Sequence, residues 1–356
     1  VRPEETTQEQ LLPLSTERDL RRRFMVVKEP IPGNFRFGML LEELDWLAWR
    51  TAVAYARQSH PEPRAVTAAL DEIVVRRVAD VTQDVRCRAR INYVGRTSME
   101  VGIRVESAPG GEHLASCYFT MVARDGDGPD ARNLAVPPLE IDDDLGRLRA
   151  AHAEERRALR RREEAVAEDP PSADEFRLLQ QHHRAQEEPG FSGAPARELV
   201  AENWERTYPE QENRSQVVFG GYIMRRAFEL SAVCAEKIAP DRPVLAAVNR
   251  VNFFIPVQIG DKLNVTSRVV YTEGAAVCVE AEIHQVSRDR KRSALSNSCL
   301  FTFLNVGAGL APRDVPAVYP ADWREDARWL AARRNLASLH ARTHRGFFAA
   351  TDPAPR

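Results

Sequence analysis

A glycine-led helical run followed by four strand-like runs occurs twice in this sequence, and few architectures accommodate that order in duplicate. The clearer copy is Asn213–Ala235, NRSQVVFGGYIMRRAFELSAVCA. A polar cluster and then Val217, Val218 and Phe219 lead into Gly220 and Gly221. After them Ile223, Ala227, Leu230 and Cys234 recur at spacings of three and four, the signature of one buried helix face. The other copy is Phe37–Tyr55, FGMLLEELDWLAWRTAVAY, with Phe37-Gly38 standing where Gly220-Gly221 stand. Its helix is expected over about Gly38–Arg57, with Leu40, Leu44, Leu47, Thr51 and Tyr55 facing inward. Strand-like runs follow at Val66–Arg77, Val81–Val94, Met99–Glu106 and His113–Val122. In the second half they fall at Val244–Asn252, Lys262–Tyr271, Ala276–Val286 and Ala294–Leu304. One long helix and then an antiparallel meander, twice over, predicts an α+β fold of two tandem units.

The length allows it: 356 residues are enough for two cores of about 120–150 residues each. The chain divides into an N-terminal arm (1–15), expected to be polar and mobile, a first unit (16–136), a connector (137–196), a second unit (197–310) and a tail (311–356). In the first unit Ser15-Thr16-Glu17 caps a short helix through Phe24, and two prolines keep Val26–Pro32 extended. Arg124–Asn133 is a Gly/Asp-rich closing loop. In the connector, Leu145–Ala167 is an Ala/Arg/Glu helix whose arginines read as a solvated face. Pro170-Pro171 ends it, and Phe176–Glu187 forms a second helical stretch. Glu198–Trp204 is strand-like. Val315–Leu336, with Tyr319, Trp323 and Trp329, packs over one unit, and the last twenty residues are expected to be poorly ordered.

A net charge of −2 gives no reason to expect nucleic acid or a charged membrane surface as a partner, and no apolar run is long enough to span a bilayer. Cys87, Cys117, Cys234, Cys278 and Cys299 are odd in number, with no CxxC pair; each lies in an expected strand or helix. Reduced core thiols in an intracellular compartment follow. The chain opens on Val1 rather than Met, as a processed or trimmed polypeptide does.

Several residues stand out chemically. Unpaired N–H groups at a glycine-led helix start, with the positive end of the helix dipole, suit an oxyanion. Asp45 lies beside the inner face of the first helix, flanked by Leu44, Trp46 and Leu47, which solvate a carboxylate poorly; such an acid tends to carry a raised pKa. Glu42 and Glu43 read as first-turn acids favoured by the dipole. Arg96 and Ser98, in the turn between two strands, suit a phosphate or a pantetheine amide. Phe253 and Pro256 end a strand that flanks a ligand tunnel or lies at a sheet edge. His182-His183 has no cysteine or carboxylate at metal spacing, so no metal is expected.

GNFRFGMLLEELDWLAW, INYVGRTSMEV, NRSQVVFGGYIMRRAFELS and VNRVNFFIPVQIGD together resemble the double hotdog acyl-coenzyme A thioesterases of the mitochondrial thioesterase 9 type, over roughly residues 10–335. The resemblance implies, in each half, an antiparallel sheet curled round a long helix. It also implies hydrolysis of fatty acyl-CoA without a cofactor, trimers of the two-unit chain, and a mitochondrial matrix setting in a eukaryote or the cytoplasm in a bacterium.

In that family one half offers an Asn ahead of the glycine pair and the other an acid on its helix, meeting across the interface. Asn213 precedes Gly221 by eight residues, and Asp45 follows Gly38 by seven. The corresponding positions of the opposite kind hold Pro30, with Asn34 nearby, and Phe228, with Glu229 next to it. One competent site is therefore expected, Asp45 with Asn213, and one dead one. Asp45 serves as base or orients water, Asn213 positions water or carbonyl, and the Gly221 N–H, aided by Gly220, holds the oxyanion. Phe219, Arg96, Ser98, Phe253 and Pro256 are the expected substrate contacts. Glu229 is the second-choice acid; its plainer reading is an ion pair with Arg225 or Arg226. A non-catalytic acyl-CoA sensor and a hotdog hydratase or dehydratase are the alternatives. The latter needs a His beside an acid, and no His stands at either helix start.

Overall fold

Both glycine-led runs are helical where the apolar spacing places them. The computed structural model describes residues 1–126, 131–167, 169–213 and 217–342. The first half runs through β1 (Gln8–Leu12), α1 (Arg18–Phe24), α2 (Phe37–Ala56), β2 (Arg64–Val75), β3 (Asp84–Val94), β4 (Ser98–Ala108), β5 (His113–Asp125) and β6 (Arg132–Asn133). The connector holds α3 (Asp144–Ala167), α4 (Ala173–Glu187) and β7 (Ala194–Pro195). The second half has β8 (Val200–Arg206), α5 (Gly220–Ala235), β9 (Pro243–Phe253), β10 (Lys262–Glu273), β11 (Ala276–Val286) and β12 (Ser293–Asn305), followed by β13 (Val318–Tyr319) and α6 (Trp323–Arg342).

The two meanders join into one sheet of eleven strands in the order β1-β3-β4-β5-β2-β9-β12-β11-β10-β8, with β6 on β5. The joint is the antiparallel pair β2–β9, in register at Leu70↔Val251 and Ile73↔Val248. Reading outward from that joint, each half repeats the same strand order and ends on the strand that precedes its own helix. The sheet wraps α2 and α5, which pack on each other. Leu40, Leu44, Leu47, Thr51 and Tyr55 of α2 and Ile223, Ala227 and Cys234 of α5 are all buried, and Leu230 is half-buried. The α+β expectation of two tandem units holds.

Residues 1–15, expected as a mobile arm, instead supply an edge strand. Gln8–Leu12 pairs with β3 from Gln8↔Ala89 to Leu12↔Val85, while Leu12 and Leu14 are buried. Backbone pairing at an edge needs little apolar sequence, which is why a polar stretch serves. This strand occupies the place in its half that β8 occupies in the other. Glu42 and Glu43 also differ from expectation. Because α2 starts at Phe37 they fall in its second turn, where Glu42 pairs with Arg225 of α5 and Glu43 accepts from Gln10 of β1. The Gly/Asp-rich loop expected at Arg124–Asn133 contains the end of β5 and all of β6; positions 127–130 lie outside the described residues.

The connector arginines are not all solvated. Arg156 reaches Glu100 of β4 at 2.5 Å and lies 3.5 Å over the Tyr118 ring, and Arg160 reaches Asp71 of β2 at 2.7 Å. Both acids are almost fully buried under α3. They are outward-facing strand residues, and α3 covers the sheet face that carries them. The tail forms a long helix, with Trp329, Leu330, Leu336 and Leu339 buried against β10, β11 and β12. Helix continues through 342, so the poor order expected of the last twenty residues does not apply there; the rest of that stretch lies outside the described residues. All five cysteines are buried free thiols.

Removing Arg156 strands Glu100 in a site with little water. Arg156→Ala should therefore lower unfolding free energy in urea titrations by about 3 kcal/mol, and Arg156→Met combined with Glu100→Leu should recover most of it.

Candidate active site

The helix pair crosses closely because glycine stands at both crossing points. A Cβ on Gly221 would lie 2.9 Å from Glu42 Cα and 3.1 Å from its carbonyl oxygen. A Cβ on Gly38 would meet Arg225 and Phe228 side chains at 3.1 Å. The approach brings the head of each helix onto the second turn of the other, with an approximate twofold relation between the two places.

At one of them Asp45 of α2 meets the head of α5. Its Oδ2 accepts from the Gly221 N–H at 2.7 Å, and its Oδ1 accepts from the Thr67 hydroxyl of β2 at 2.6 Å. The side chain is 1% exposed. Burial drives its pKa up to about 6, while the two hydrogen bonds hold it from rising further and the charge of Glu42 adds a small upward push. An acid that is half-ionised near pH 6, mostly ionised at neutrality and fixed through both oxygens is suited to taking a proton.

Thr67 is a member of this cluster that the pattern of the sequence does not disclose. A threonine in a strand reads as an ordinary β-branched residue; only the sheet register places it under Asp45. The Gly221 N–H, expected to serve an oxyanion, is engaged by Asp45. The Gly220 N–H, one residue earlier in the same turn, has no intrahelical acceptor. A Cβ on Gly220 would lie 3.1 Å from both Asp45 Oδ2 and the Phe253 ring, so Phe253 is a neighbour of the cluster. Phe219 forms the other flank, edge-on to Trp46 at 5.8 Å, and Trp46 stacks on Trp49. Phe254, Ile255 and Pro256 form an exposed lip after β9.

Asn213 is half-buried at the base of a short hairpin. Its N–H donates to the Val217 carbonyl at 2.8 Å and its Oδ1 accepts from the Val217 N–H at 3.3 Å. The Glu212↔Val218 bridge and the Phe219 N–H on the Gln211 carbonyl fix that hairpin to the start of α5. Positions 214–216 lie outside the described residues. Among the described residues no hydrogen bond joins Asn213 to Asp45. Arg96 and Ser98 make none to this cluster either. They sit in the β3–β4 hairpin at the same end of the sheet, since Ser98 and Val66 both pair with Val122.

The related place at the head of α2 holds no acid. Phe228 is packed there against Phe37, Phe301 and Phe303. Asn34 is fully used by its own loop: Oδ1 accepts from the Val26 and Val27 N–H groups and Nδ2 donates to the Val27 and Glu29 carbonyls. Pro30 is exposed in that loop. Glu229 pairs with Arg36 at 2.5 Å and with Arg226 at 3.2 Å, so its plainer reading holds for Arg226, while Arg225 goes to Glu42. His182 lies between the Tyr319 and Trp329 rings, and His183 pairs with Asp326.

Two antiparallel meanders wrapped round two long, mutually packed helices, with an acid of one helix on the head of the other, define a double hotdog protein. Residues 48–113 and 215–290 each match the thioesterase superfamily. Human mitochondrial acyl-coenzyme A thioesterase 9 is 26% identical over 359 aligned positions, covering 93% of this chain and 77% of the human protein. Chloroplastic acyl-coenzyme A thioesterase 2 of Humulus lupulus is 29% identical over 293 positions, 76% of this chain and 67% of that protein. A solved structure described as oleoyl thioesterase from Lactobacillus plantarum shares the fold over 84% of this chain and 95% of its own, with a TM-score of 0.51 and 10% identity.

The raised pKa has a consequence for stability. Between 3.8 and about 6 the unfolded chain has released the Asp45 proton while the folded chain retains it, so stability falls as pH rises through this window. Carboxyl-selective carbon NMR should find Asp45 titrating near 6. Thr67→Val, which removes a bond favouring the ionised form, should move that titration up by about one unit.

Proposed function

We propose that this chain hydrolyses fatty acyl-CoA to free fatty acid and CoA by direct attack of water, at one site per chain. The observation that carries the reading is the Asp45 carboxylate of the first half, held on the Gly221 N–H at the head of the second half's helix. The names of the relatives supply the substrate class, and this geometry supplies a base where a thioester would need one.

Asp45, ionised, takes a proton from water as the water oxygen bonds to the thioester carbon. Thr67 and the Gly221 N–H keep both carboxylate oxygens in place. The oxyanion that forms is stabilised at the head of α5, with the Gly220 N–H as the donor; losing one such donor typically costs on the order of 100-fold. The intermediate then collapses, the C–S bond breaks, and the CoA thiolate takes the proton that Asp45 had received, which returns Asp45 to its ionised form as the acid departs. Asn213, fixed to the same helix head by its hairpin, orients water or carbonyl. Phe219, Phe253 and Pro256 border the acyl entrance, and Arg96 and Ser98 meet the CoA portion. Trimeric assembly of the chain belongs to the same reading, and light scattering would check it.

The test is release of free thiol from acyl-CoAs of increasing length. Asp45→Asn should lower kcat/KM by at least about 100-fold with CoA still bound, and Glu229→Gln should stay within a few-fold. In the wild type kcat/KM should rise with pH through about 6 as Asp45 ionises. Full activity in Asp45→Asn would overturn the assignment. Acyl-CoA binding without turnover in the wild type would mean a sensor rather than an enzyme.

A further inference from the structure

The place related to the Asp45 site by the twofold is not merely dead; it is hollow. A cavity of about 610 Å³ lies at the head of α2, within the range of small-molecule sites. Its wall is largely apolar, with Phe37, Leu40, Leu114, Phe228, Val244 and Leu245 among the lining residues. Phe228 stands where an acid would, the Asn34 amide is committed to its loop and Glu229 is held by Arg36 and Arg226, so the acid and amide of the Asp45 site have no counterpart there among the described residues.

The charges facing this cavity are unevenly matched. Arg36 is paired with Glu229, and Arg77 with Glu112. Glu236, exposed at the end of α5, lines the rim without an ion pair to Arg242. Arg242 is half-buried just before β9, and the one hydrogen bond of its guanidinium among the described residues goes to the Pro32 carbonyl. Among the described residues no carboxylate accepts from it. A partly desolvated guanidinium without an acid, at the edge of an apolar cavity, is matched by a ligand with an apolar chain and a single anionic head.

We propose that this cavity is a non-hydrolytic binding site for an unesterified fatty acid, with the carboxylate on Arg242 and the chain between α5 and the loop that carries Asn34. The site stands on the helix-pair geometry and not on the hydrolytic reading. Where that reading also holds, the ligand is of the product class, and the chain binds what it releases.

Calorimetry with dodecanoate on the full chain reads the site directly, separately from turnover. The wild type should show a binding event that Arg242→Ala weakens at least tenfold and that Ala232→Phe, which projects a ring into the cavity, abolishes. Dodecanol binding should be lost in Ala232→Phe yet unchanged in Arg242→Ala. Both variants should unfold at the wild-type temperature and turn over butyryl-CoA as the wild type does. Dodecanoate binding that is absent, or unaltered in both variants, would overturn the proposal. So would an event sensitive to Arg242 and seen only with the non-hydrolysable thioether S-dodecyl-CoA, which would assign the cavity to a CoA conjugate. If the wild type binds dodecanoate in the expected way but hydrolyses no acyl-CoA, the cavity proposal stands and the enzymatic one falls.

Discussion

The carboxylate of Asp45 on the Gly221 N–H is the interaction around which this chain is arranged. It needs an acid on one long helix and an unpaired N–H at the head of another, near enough for a 2.7 Å bond. Only a glycine allows that approach, because any Cβ at position 221 would press into the Glu42 backbone. The eleven-stranded sheet holds the two helices at that separation, and its β2–β9 joint puts Thr67 under the same carboxylate. The site is therefore built across the two halves: neither half alone contains both the acid and the helix head.

Much of this could be read from the sequence, for a physical reason. A buried helix must repeat its apolar residues every three or four positions, and a strand of a curled sheet must hold a long β-prone run. These demands are local, so α2, α5 and all eight long strands appear close to their expected bounds. Asp45 was legible because leucine and tryptophan neighbours cannot solvate a carboxylate. What the sequence did not reveal depends on partners far along the chain. Arg156 and Arg160 meet acids 56 and 89 residues away, and nothing within α3 distinguishes them from the exposed arginines beside them. β1 is held by backbone pairing and needs no periodic side chains. Thr67 matters through its register, which is a property of the sheet and not of its own segment.

The same dependence on the fold separates the candidate roles of two amides. Asn34 and Asn213 both precede a helix head and look alike in sequence. The Asn34 side chain makes four hydrogen bonds to the backbone of a loop containing two prolines, and its contribution is to shape that loop. Asn213 is tied to a hairpin whose other arm runs directly into Phe219 and Gly220. Its position relative to the α5 head is therefore set by backbone bonds.

The asymmetry between the halves has an energetic logic. Burying an ionisable acid is unfavourable, and the raised pKa of Asp45 measures the part of that penalty which two hydrogen bonds do not offset. A second acid at the related position would add a second penalty. Phe228 replaces it with aromatic contacts to Phe37, Phe301 and Phe303, which favour folding. Reversing that one residue would not restore a site. An aspartate at 228 would lie next to the Glu229 charge, find the Asn34 amide already engaged, and remove a ring from the cluster that closes this end of the core. Several contacts at once set the two places apart, so the Asp45 cluster and the hollow beside Phe228 are both built into the same duplicated fold.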